Sequence, residues 1–375
     1  MKLNKITRQF HKLFPRKFGN YWKKNKDFSN IDKDLKFITN TFIKSKSYNL
    51  VSRFWHIMNI DLYENLIKFG LKKFGSTIST KYYILIDFLL YDDWFDGAMN
   101  NLKEMNSAPV NTQLFKKQNN LNYRQSVSYN CLCLLLYFNL KRTNCFKYLS
   151  KLQDKTYMDL DYPYIKIDNT NITADKIISL LDYEKINRAF NIDNFKNFLE
   201  IGAGTGRTCE AILSIQNNLN YVICDIPPAI YISYKRLKLV FPDKKISLLI
   251  DLNNKEELQE RINSNDISFI FPHQLEFDML DKNFFDIIVA INCIHEMDKK
   301  TIQYYFNLSN NLTENFYISI WNKTIVPYSK TFLKEKNRLD YNKGDYQIPK
   351  NWDNFFRESL VFPSNYLSLG YKIKK

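Results

Sequence analysis

The residues of this 375-residue chain that could carry chemistry are concentrated in its second half. A stretch from Glu200 to Arg207 places Gly202, Gly204 and Gly206 at alternate positions, directly after an apolar run. Glycines let the backbone adopt left-handed angles and let a ligand approach closely, because no Cβ stands in the way. A helix that begins at Arg207 would add the unpaired N–H groups of its first turn. The pattern predicts a strand, a tight ligand-binding turn and a helix.

The glycine spacing separates two classes of nucleotide cofactor. Dinucleotide folds use G-x-G-x-x-G, whereas the third glycine here is one position early and Arg207 takes the place of the last glycine. An acid, Glu200, also precedes the first glycine. This arrangement resembles motif I of class I S-adenosylmethionine-dependent methyltransferases. Taken alone, the turn is also compatible with a strand-to-helix connection that binds no ligand.

Asp225 strengthens the cofactor interpretation. Tyr221–Cys224 is a short apolar run typical of a buried strand, and Asp225 closes it 19 residues after Gly206. In a βαβ unit, an acid at the end of the second strand lies beside the first glycine-rich turn, where its carboxylate can accept hydrogen bonds from both ribose hydroxyls. An acid in an ordinary surface loop is the alternative.

Two of the four histidines, His273 and His295, follow predicted strands in this half of the chain. The near-continuous apolar run Phe285–Ile291 is typical of a central parallel strand, and it leads into His295 and Glu296. Methyl transfer to a hydroxyl group requires a base that removes the hydroxyl proton, and such a base contributes about 10²–10⁴-fold to the rate. We assign His295 as this base, with Glu296 as its orienting partner or the alternative base. A histidine satisfied within its loop is the competing interpretation, and no metal site is predicted.

Two candidate strands, Ile246–Ile250 and Ile267–Phe271, occupy a region where a minimal methyltransferase sheet has one strand. The sequence leaves open which of the two is the insertion. The second leads into polar residues at a strand's carboxyl end, where open α/β sheets bind ligands. We therefore give it the adenine-facing role. His273 then lines the cofactor pocket or is structural, and Gln274 could bond the adenine edge.

The first half has a different character. Residues 1–50 hold 11 Lys and 2 Arg against 3 Asp, a net charge of +10 that leaves +5 for the other 325 residues. Lysines interleaved with aromatics could bind an anionic glycan, a membrane surface or RNA, and for residues 1–26 we consider weak contact with an anionic glycan or a membrane surface. A helical arm whose aromatics dock on the body is favoured. Helical patterns fill the region from Ser47 to Leu152, which could cover a substrate cleft. Within it we expect a helix over Tyr82–Leu90, a polar loop over Asn106–Asn122 and a helix break near Asn144. We place the domain boundary so that residues 1–154 form a basic arm and helical domain and residues 155–375 the cofactor domain.

Composition gives broader limits. Six cysteines without paired C-x₂-C spacing indicate reduced core thiols. No apolar segment follows the basic start, and the longest apolar run, Cys131–Phe138, is far short of the about 20 residues that span a bilayer. We expect a cytoplasmic protein, with peripheral contact at the inner membrane surface as an option for the arm.

Four stretches sharpen the resemblance. They are Glu200–Thr208, Asp225–Ala229, Phe271–Leu275 and His295–Met297, and together they resemble the bacterial sugar O-methyltransferase family over roughly residues 155–325. The resemblance implies a Rossmann-like α/β fold: a mostly parallel class I methyltransferase sheet with helices on both faces, preceded by an α-helical N-terminal domain. It implies S-adenosylmethionine as cofactor, and a sugar hydroxyl of a glycan or nucleotide-sugar as acceptor in surface polysaccharide modification. The implied cofactor-binding residues are Glu200, Gly202, Ala203, Gly204, Thr205, Gly206, Asp225, Ile226, His273, Gln274 and Asn292.

Three alternative functions are each disfavoured by particular residues. An enzyme that methylates the adenine amino group of RNA would show Asn/Asp-Pro-Pro-aromatic after the fourth strand, where this chain has Asn292–His295 without prolines. Nucleic acid is therefore an unlikely partner. A degenerate methyltransferase fold that serves glycan assembly is disfavoured by the complete glycine motif and Asp225. A nicotinamide-dependent sugar oxidoreductase is disfavoured by Arg207. The oligomeric state stays open.

Overall fold

The N-terminal part of the computed structural model is helical, as predicted. Residues 18–24, 32–84, 108–326, 337–360 and 366–374 are described, so most of the basic arm and most of the helix expected over Tyr82–Leu90 lie outside the described residues. The first helices are α1 (Phe18–Lys24), α2 (Lys33–Lys44), α3 (Arg53–Phe69), a π-helix (Gly75–Tyr83), α4 (Ala108–Gln113), α5 (Tyr123–Lys141) and α6 (Asp154–Asp159).

Two local expectations for this region had different outcomes. The break expected near Asn144 is confirmed, because α5 ends at Lys141 and a 3₁₀ turn begins at Asn144. The loop expected over Asn106–Asn122 is wrong for residues 108–113, which form α4. The polar sequence hides this helix because its stability comes from tertiary burial: Val110 is 4% exposed.

The first helix bears on the arm. Phe18 and Trp22 of α1 are buried, and the Phe18 ring stacks on Tyr63 with 4.8 Å between ring centroids. These two aromatics are therefore docked on the body and are not free to bind a partner. Contact of residues 1–26 with an anionic glycan or membrane stays a prediction. Within the described ranges, no helix is long and apolar enough to cross a membrane.

The second half is built on an eight-stranded sheet. A short hairpin of β1 (Ile165–Ile167) and β2 (Thr170–Ile172) precedes it. The sheet strands are β3 (Asn197–Ile201), β4 (Asn220–Cys224), β5 (Ile246–Leu248), β6 (Ile267–Ile270), β7 (Ile287–Ile291), β8 (Asn315–Trp321), β11 (Trp352–Ser359) and β12 (Tyr366–Ile373). Between β8 and β11, the strands β9 (Lys323–Val326) and β10 (Asn337–Asp340) pair with each other outside this sheet. The strand order is β11-β12-β8-β7-β3-β4-β6-β5. All neighbours from β5 to β8 are parallel, whereas β12 and β11 are antiparallel additions. The predicted Rossmann-like, mostly parallel sheet is confirmed.

Helices cover both faces of the sheet. They are α7 (Ala174–Phe190), α8 (Arg207–Ile215), α9 (Ala229–Val240), α10 (Lys255–Asn263) and α11 (Lys299–Leu312). Consecutive strand residues point to opposite faces, so Phe198 of β3 joins one hydrophobic cluster while Leu199 joins the other. This double burial explains the near-continuous apolar runs of the central strands.

The strand that the sequence left undecided is now assigned. β6 pairs directly with β4, and β5 pairs only with the outer side of β6. The extra strand is therefore β5, at the edge, and the run over Ile267–Phe271 is the one beside β4. Strand β11 was not predicted, because its exposed positions include Phe355, 46% exposed, which blurs the alternation.

The strand order reverses between β3 and β7. The chain passes from β3 outward to β4 and β6, then returns to place β7 on the other side of β3. In open α/β sheets, ligands bind in the crevice outside the carboxyl ends of the strands at such a reversal. The fold therefore positions the turn after β3 and the residues after β7 at one crevice.

The N-terminal part packs against this same edge of the sheet. Phe42 of α2 meets Phe271 with ring centroids 5.0 Å apart, and the hydroxyl of Thr301 donates to the carbonyl oxygen of Leu50 at 3.3 Å. Phe42 and Phe271 belong to one continuous hydrophobic cluster. The domain boundary near residue 155 stays a prediction.

Candidate active site

The glycine-rich turn has the backbone that its sequence requires. Gly202, Gly204 and Gly206 have φ values of +71°, +57° and +73°, in the left-handed region that disfavours residues with a Cβ. Space is limited as well: a Cβ on Gly202 would lie 2.6 Å from the Cβ of Cys293, which follows β7. The turn is therefore held tightly against the end of the neighbouring strand.

Asp225 lies beside this turn, as the spacing predicted. Its Oδ2 accepts a hydrogen bond from the backbone N–H of Gly204 at 2.8 Å, and its Oδ1 accepts one from Ile226 at 2.7 Å. Burial raises the pKa of Asp225 to about 6, although both backbone N–H groups favour the charged form. The carboxylate is thus oriented at the carboxyl end of the second strand.

A cavity of about 150 Å³ occupies the crevice between the turn, Asp225 and the end of β7. Nine of the thirteen predicted site residues line it: Glu200, Gly202, Ala203, Gly204, Thr205, Asp225, Ile226, Asn292 and Glu296. Four do not: Gly206, His273, Gln274 and His295. Gly206 ends the turn behind the cavity, where a Cβ would meet Leu237 of α9 at 2.9 Å.

Glu296 is the titratable side chain that the structure brings to the cavity after β7. Burial raises the pKa of this carboxyl to about 8, and the negative charge of Asp225 acts in the same direction. A carboxyl poised near neutral pH is suited to accept a proton from a bound hydroxyl. The geometry therefore favours Glu296, the alternative base of the sequence analysis.

His295 points elsewhere. It is 3% exposed, and its ring stacks on Trp321 at 5.2 Å and meets Tyr366 edge-on at 5.4 Å. Burial lowers the pKa of His295 to about 3, so the ring stays neutral near pH 7. The expectation that His295 faces the reacting group is corrected, because the 3₁₀ turn Ile294–Glu296 sends adjacent side chains to different sides.

The expected contact of Gln274 with adenine is also corrected. Its Nε2 donates to the carbonyl oxygens of Leu249 and Leu252 at 2.7 and 2.9 Å, and its Oε1 accepts from the N–H of Phe271 at 2.8 Å. The side chain is fully buried. These bonds use the amide to join the loops after β5 and β6.

His273 joins the sheet to the N-terminal part instead of lining the cavity. Its backbone N–H donates to the hydroxyl of Ser47 at 2.8 Å, and its ring Nδ1 lies 2.8 Å from the same oxygen. Of the two readings left open for His273, the structure favours the structural one. From this loop, Pro272 reaches the cavity wall.

Two charged side chains complete the wall near the turn. Glu200 accepts a hydrogen bond from the hydroxyl of Tyr221 at 2.8 Å, and burial raises its pKa to about 7. Arg207, the first residue of α8, has a side chain 11% exposed and lies 3.5 Å from Asp175. Arg207 also lines the cavity, a position that the glycine spacing alone did not predict.

The N-terminal helices were expected to be able to cover a cleft, but the sequence did not identify which of their residues form a wall of the cavity. These residues are Leu50, Val51, Ser52, Trp55, Asn59, Tyr82 and Tyr83. Their types and spacing carry no ligand-binding motif, so only the tertiary packing identifies them. Among the described residues, no group of three His, Cys, Asp or Glu side chains is placed to hold a metal ion.

Comparison with known proteins adds a limited fold likeness. Neither the protein-family models nor the curated proteins match the sequence. Among solved structures, the pyocyanin biosynthetic protein PhzM matches at 14% identity over 62% of each chain, with a TM-score of 0.35. The mitomycin 7-O-methyltransferase MmcR matches at 10% identity over 76% of this chain and 70% of its own, also at 0.35.

A third match is the N-terminal domain of EvdMO1, solved in the presence of SAH and D-fucose. It is 10% identical over 56% of this chain and 90% of its own, with a TM-score of 0.35. The match to PhzM spans 62% of that protein, which is less than two thirds of its length. At such low TM-scores these likenesses carry no argument, and the fold assignment rests on the strand order and register described above.

Proposed function

We propose that this protein is an S-adenosylmethionine-dependent O-methyltransferase with its cofactor in the cavity at the strand-order reversal. The observation that carries the proposal is the hydrogen bond between Asp225 and Gly204, which places a carboxylate directly at a glycine-rich turn. The glycine spacing and the acid before the turn resemble a methyltransferase motif and differ from a dinucleotide motif.

The charges around the cavity suit this cofactor. Three carboxyl groups, from Glu200, Asp225 and Glu296, share the wall with the guanidinium of Arg207. S-adenosylmethionine carries a positive sulfonium beside a carboxylate, so it presents both signs of charge. Asp225 would accept hydrogen bonds from the ribose hydroxyls, and the backbone of the turn would lie against the ligand without side chains between them.

Glu296 is the proposed base. The cofactor supplies a methyl group that its sulfonium already activates, so the protein must align the acceptor and take up the acceptor's proton. Glu296 lines the same cavity as Asp225 and follows the strand next to the glycine-rich one. In the ionised form its carboxylate would accept the acceptor's proton as the oxygen–carbon bond forms and the sulfur–carbon bond of the donor breaks, which releases S-adenosylhomocysteine.

A sugar hydroxyl is the proposed acceptor, with surface polysaccharide as its setting. The support for it is the resemblance of the four sequence stretches to sugar O-methyltransferases. The aromatic side chains of Trp55 and Tyr82 on the cavity wall are compatible with packing against the apolar face of a sugar ring. An RNA acceptor is less suited, because the chain beyond residue 50 carries a net charge of only +5.

Methyl transfer tests the proposal. Full-length protein is incubated with methyl-labelled S-adenosylmethionine and a panel of nucleotide-sugars, deacylated surface glycans and RNA. We expect label in a sugar-containing acceptor, loss of transfer in Glu296→Gln and unchanged transfer in Glu256→Gln, which alters an exposed carboxylate of α10. Label in RNA alone would favour the nucleic-acid alternative, and equal activity in both variants would remove Glu296 from the mechanism.

A further inference from the structure

Tyr83 reaches the glycine-rich turn from the N-terminal part of the chain. It is the last residue of the π-helix Gly75–Tyr83. A Cβ built on Gly204 would lie 2.8 Å from Cε1 and 3.1 Å from Cδ1 of Tyr83, so the edge of its ring lies directly against the turn. π-Helical turns occur frequently at functional sites.

The hydroxyl of Tyr83 is buried at this point without a partner. Its oxygen is inaccessible to solvent and forms no hydrogen bond within the part of the chain that the structure describes. Burial raises the pKa of Tyr83 well above its ordinary value, and the charges of Asp225 and Glu296 act in the same direction. The hydroxyl therefore lies within electrostatic reach of both the proposed ribose-binding acid and the proposed base.

Asn59 of α3 is a second, independent polar group on the same wall. The residue is 1% exposed, it lines the cavity, and its Nδ2 has no hydrogen-bond partner among residues 18–24, 32–84, 108–326, 337–360 and 366–374. A buried donor left unsatisfied costs about 1–3 kcal/mol. Two such donors on one cavity wall indicate a ligand that supplies their acceptors.

We propose that the Tyr83 hydroxyl and the Asn59 amide bind the carboxylate of the cofactor's methionyl group. This inference rests on the proposed function. Asp225 would bind the ribose hydroxyls and Glu296 would face the methyl group, which leaves the adenine and the amino-acid end of the cofactor. Of these two parts, only the amino-acid end carries a carboxylate, a group that accepts hydrogen bonds and donates none. Tyr83 and Asn59 both donate, as a carboxylate requires, and Arg207 adds a positive charge to the same cavity.

The assignment makes the N-terminal part a component of the cofactor site. The turn, Asp225 and Glu296 all belong to the sheet half, whereas Asn59 and Tyr83 come from helices that precede the turn by more than a hundred residues of sequence. Without these helices the cavity would lack one wall and two donors. Cofactor affinity therefore depends on the packing between the two parts of the chain.

Two ligands that differ in the amino-acid end test the inference. S-adenosylhomocysteine carries the amino-acid end, whereas 5′-methylthioadenosine has the same nucleoside but lacks it. Calorimetric titration of the full chain should show that Tyr83→Phe weakens S-adenosylhomocysteine binding about 10-fold or more, the scale of a hydrogen bond to a charged group. The affinity for 5′-methylthioadenosine should change by less than about 2-fold in the same variant.

Matched variants separate binding from packing. The rings of Tyr162 and Tyr83 both pack against Phe74, with centroid-to-centroid distances of 5.9 and 6.1 Å. Tyr162, however, does not line the cavity. Tyr162→Phe should therefore leave both affinities unchanged. Asn59→Asp places a negative charge opposite the ligand carboxylate. It should therefore weaken the binding of S-adenosylhomocysteine more than the binding of 5′-methylthioadenosine. Because Tyr83→Phe removes an unsatisfied hydroxyl, the thermal midpoint of the ligand-free protein should stay the same or rise.

The outcomes are distinct. Selective loss of S-adenosylhomocysteine affinity in Tyr83→Phe and Asn59→Asp supports the inference. Equal loss for both ligands, or no loss for either, overturns it while the cofactor assignment stands. If the wild-type protein binds neither ligand, the proposed function fails and this inference fails with it.

Discussion

The carboxylate of Asp225 and the backbone N–H of Gly204 are joined by a hydrogen bond of 2.8 Å. The bond connects the end of β4 to the turn after β3, so the acid does more than face the cavity. It also fixes the turn against which a nucleoside would lie. The remaining oxygen, Oδ1, accepts from Ile226, which gives the carboxylate a defined orientation before any ligand binds.

Gly204→Ala tests the close approach at the turn. Alanine at φ +57° is strained, and its Cβ would lie 2.8 Å from the Tyr83 ring. We expect a loss of about 1–2 kcal/mol in stability from the backbone alone and strongly weakened S-adenosylhomocysteine binding. Gly344→Ala is the control, because Gly344 has φ +73° but, among the described residues, no atom lies within 4 Å of a built Cβ. Urea unfolding and calorimetry give both quantities, and equal ligand affinity in the two variants would contradict this role of the turn.

The pH dependence of turnover separates Glu296 from His295. A base must be ionised to accept a proton, and the pKa of Glu296 is raised to about 8. The rate constant kcat/KM should therefore rise with pH through about 8 and level off above it. His295, with a pKa lowered to about 3, is neutral across this range and adds no ionisation.

Variants complete this comparison. Glu296→Gln should lower turnover by about 10²–10⁴-fold and abolish the rise. His295→Phe retains a ring against Trp321 and should keep most of the activity and the same profile. A pH profile that survives in Glu296→Gln but disappears in His295→Phe would restore His295 as the base.

A buried ion pair behind the turn should be sensitive to removal of one partner. Arg236 of α9 donates to the carboxylate of Glu210 on α8, both are essentially unexposed, and Tyr157 also donates to Glu210 at 2.8 Å. Glu210→Gln leaves the arginine charge buried without its counter-ion, which should cost about 3–5 kcal/mol in urea unfolding. Asp345→Asn, which removes one partner of the surface pair with Lys299, should have a much smaller effect on stability, because water screens an exposed pair. Equal effects would show that Arg236 retains access to water.

The parts of the site that were predictable from sequence are those set by local backbone geometry. Gly202, Gly204 and Gly206 predict a turn because the left-handed angles are intrinsic to glycine, and Asp225 follows from the fixed geometry of a βαβ unit. The apolar runs of the central strands likewise predict burial on both faces.

Other features depended on tertiary contacts that no local pattern encodes. His295 and Glu296 are adjacent in the sequence, and the 3₁₀ turn decides which of them faces the cavity. Gln274 has the right position for a ligand contact, but the loops after β5 and β6 use its amide fully. Tyr83 meets Gly204 only because the N-terminal helices fold back over the sheet, which sequence spacing cannot reveal.

Cofactor binding by the full chain tests the central claim most directly. Calorimetric titration should show that the wild-type protein binds S-adenosylmethionine and S-adenosylhomocysteine but not NAD. Asp225→Ala should weaken S-adenosylhomocysteine binding by about 1.5–3 kcal/mol, the scale of a hydrogen bond to a charged group, while Asp243→Ala, at an exposed position after α9, should leave it unchanged. Binding of NAD in place of S-adenosylhomocysteine, or full affinity in Asp225→Ala, would contradict the account.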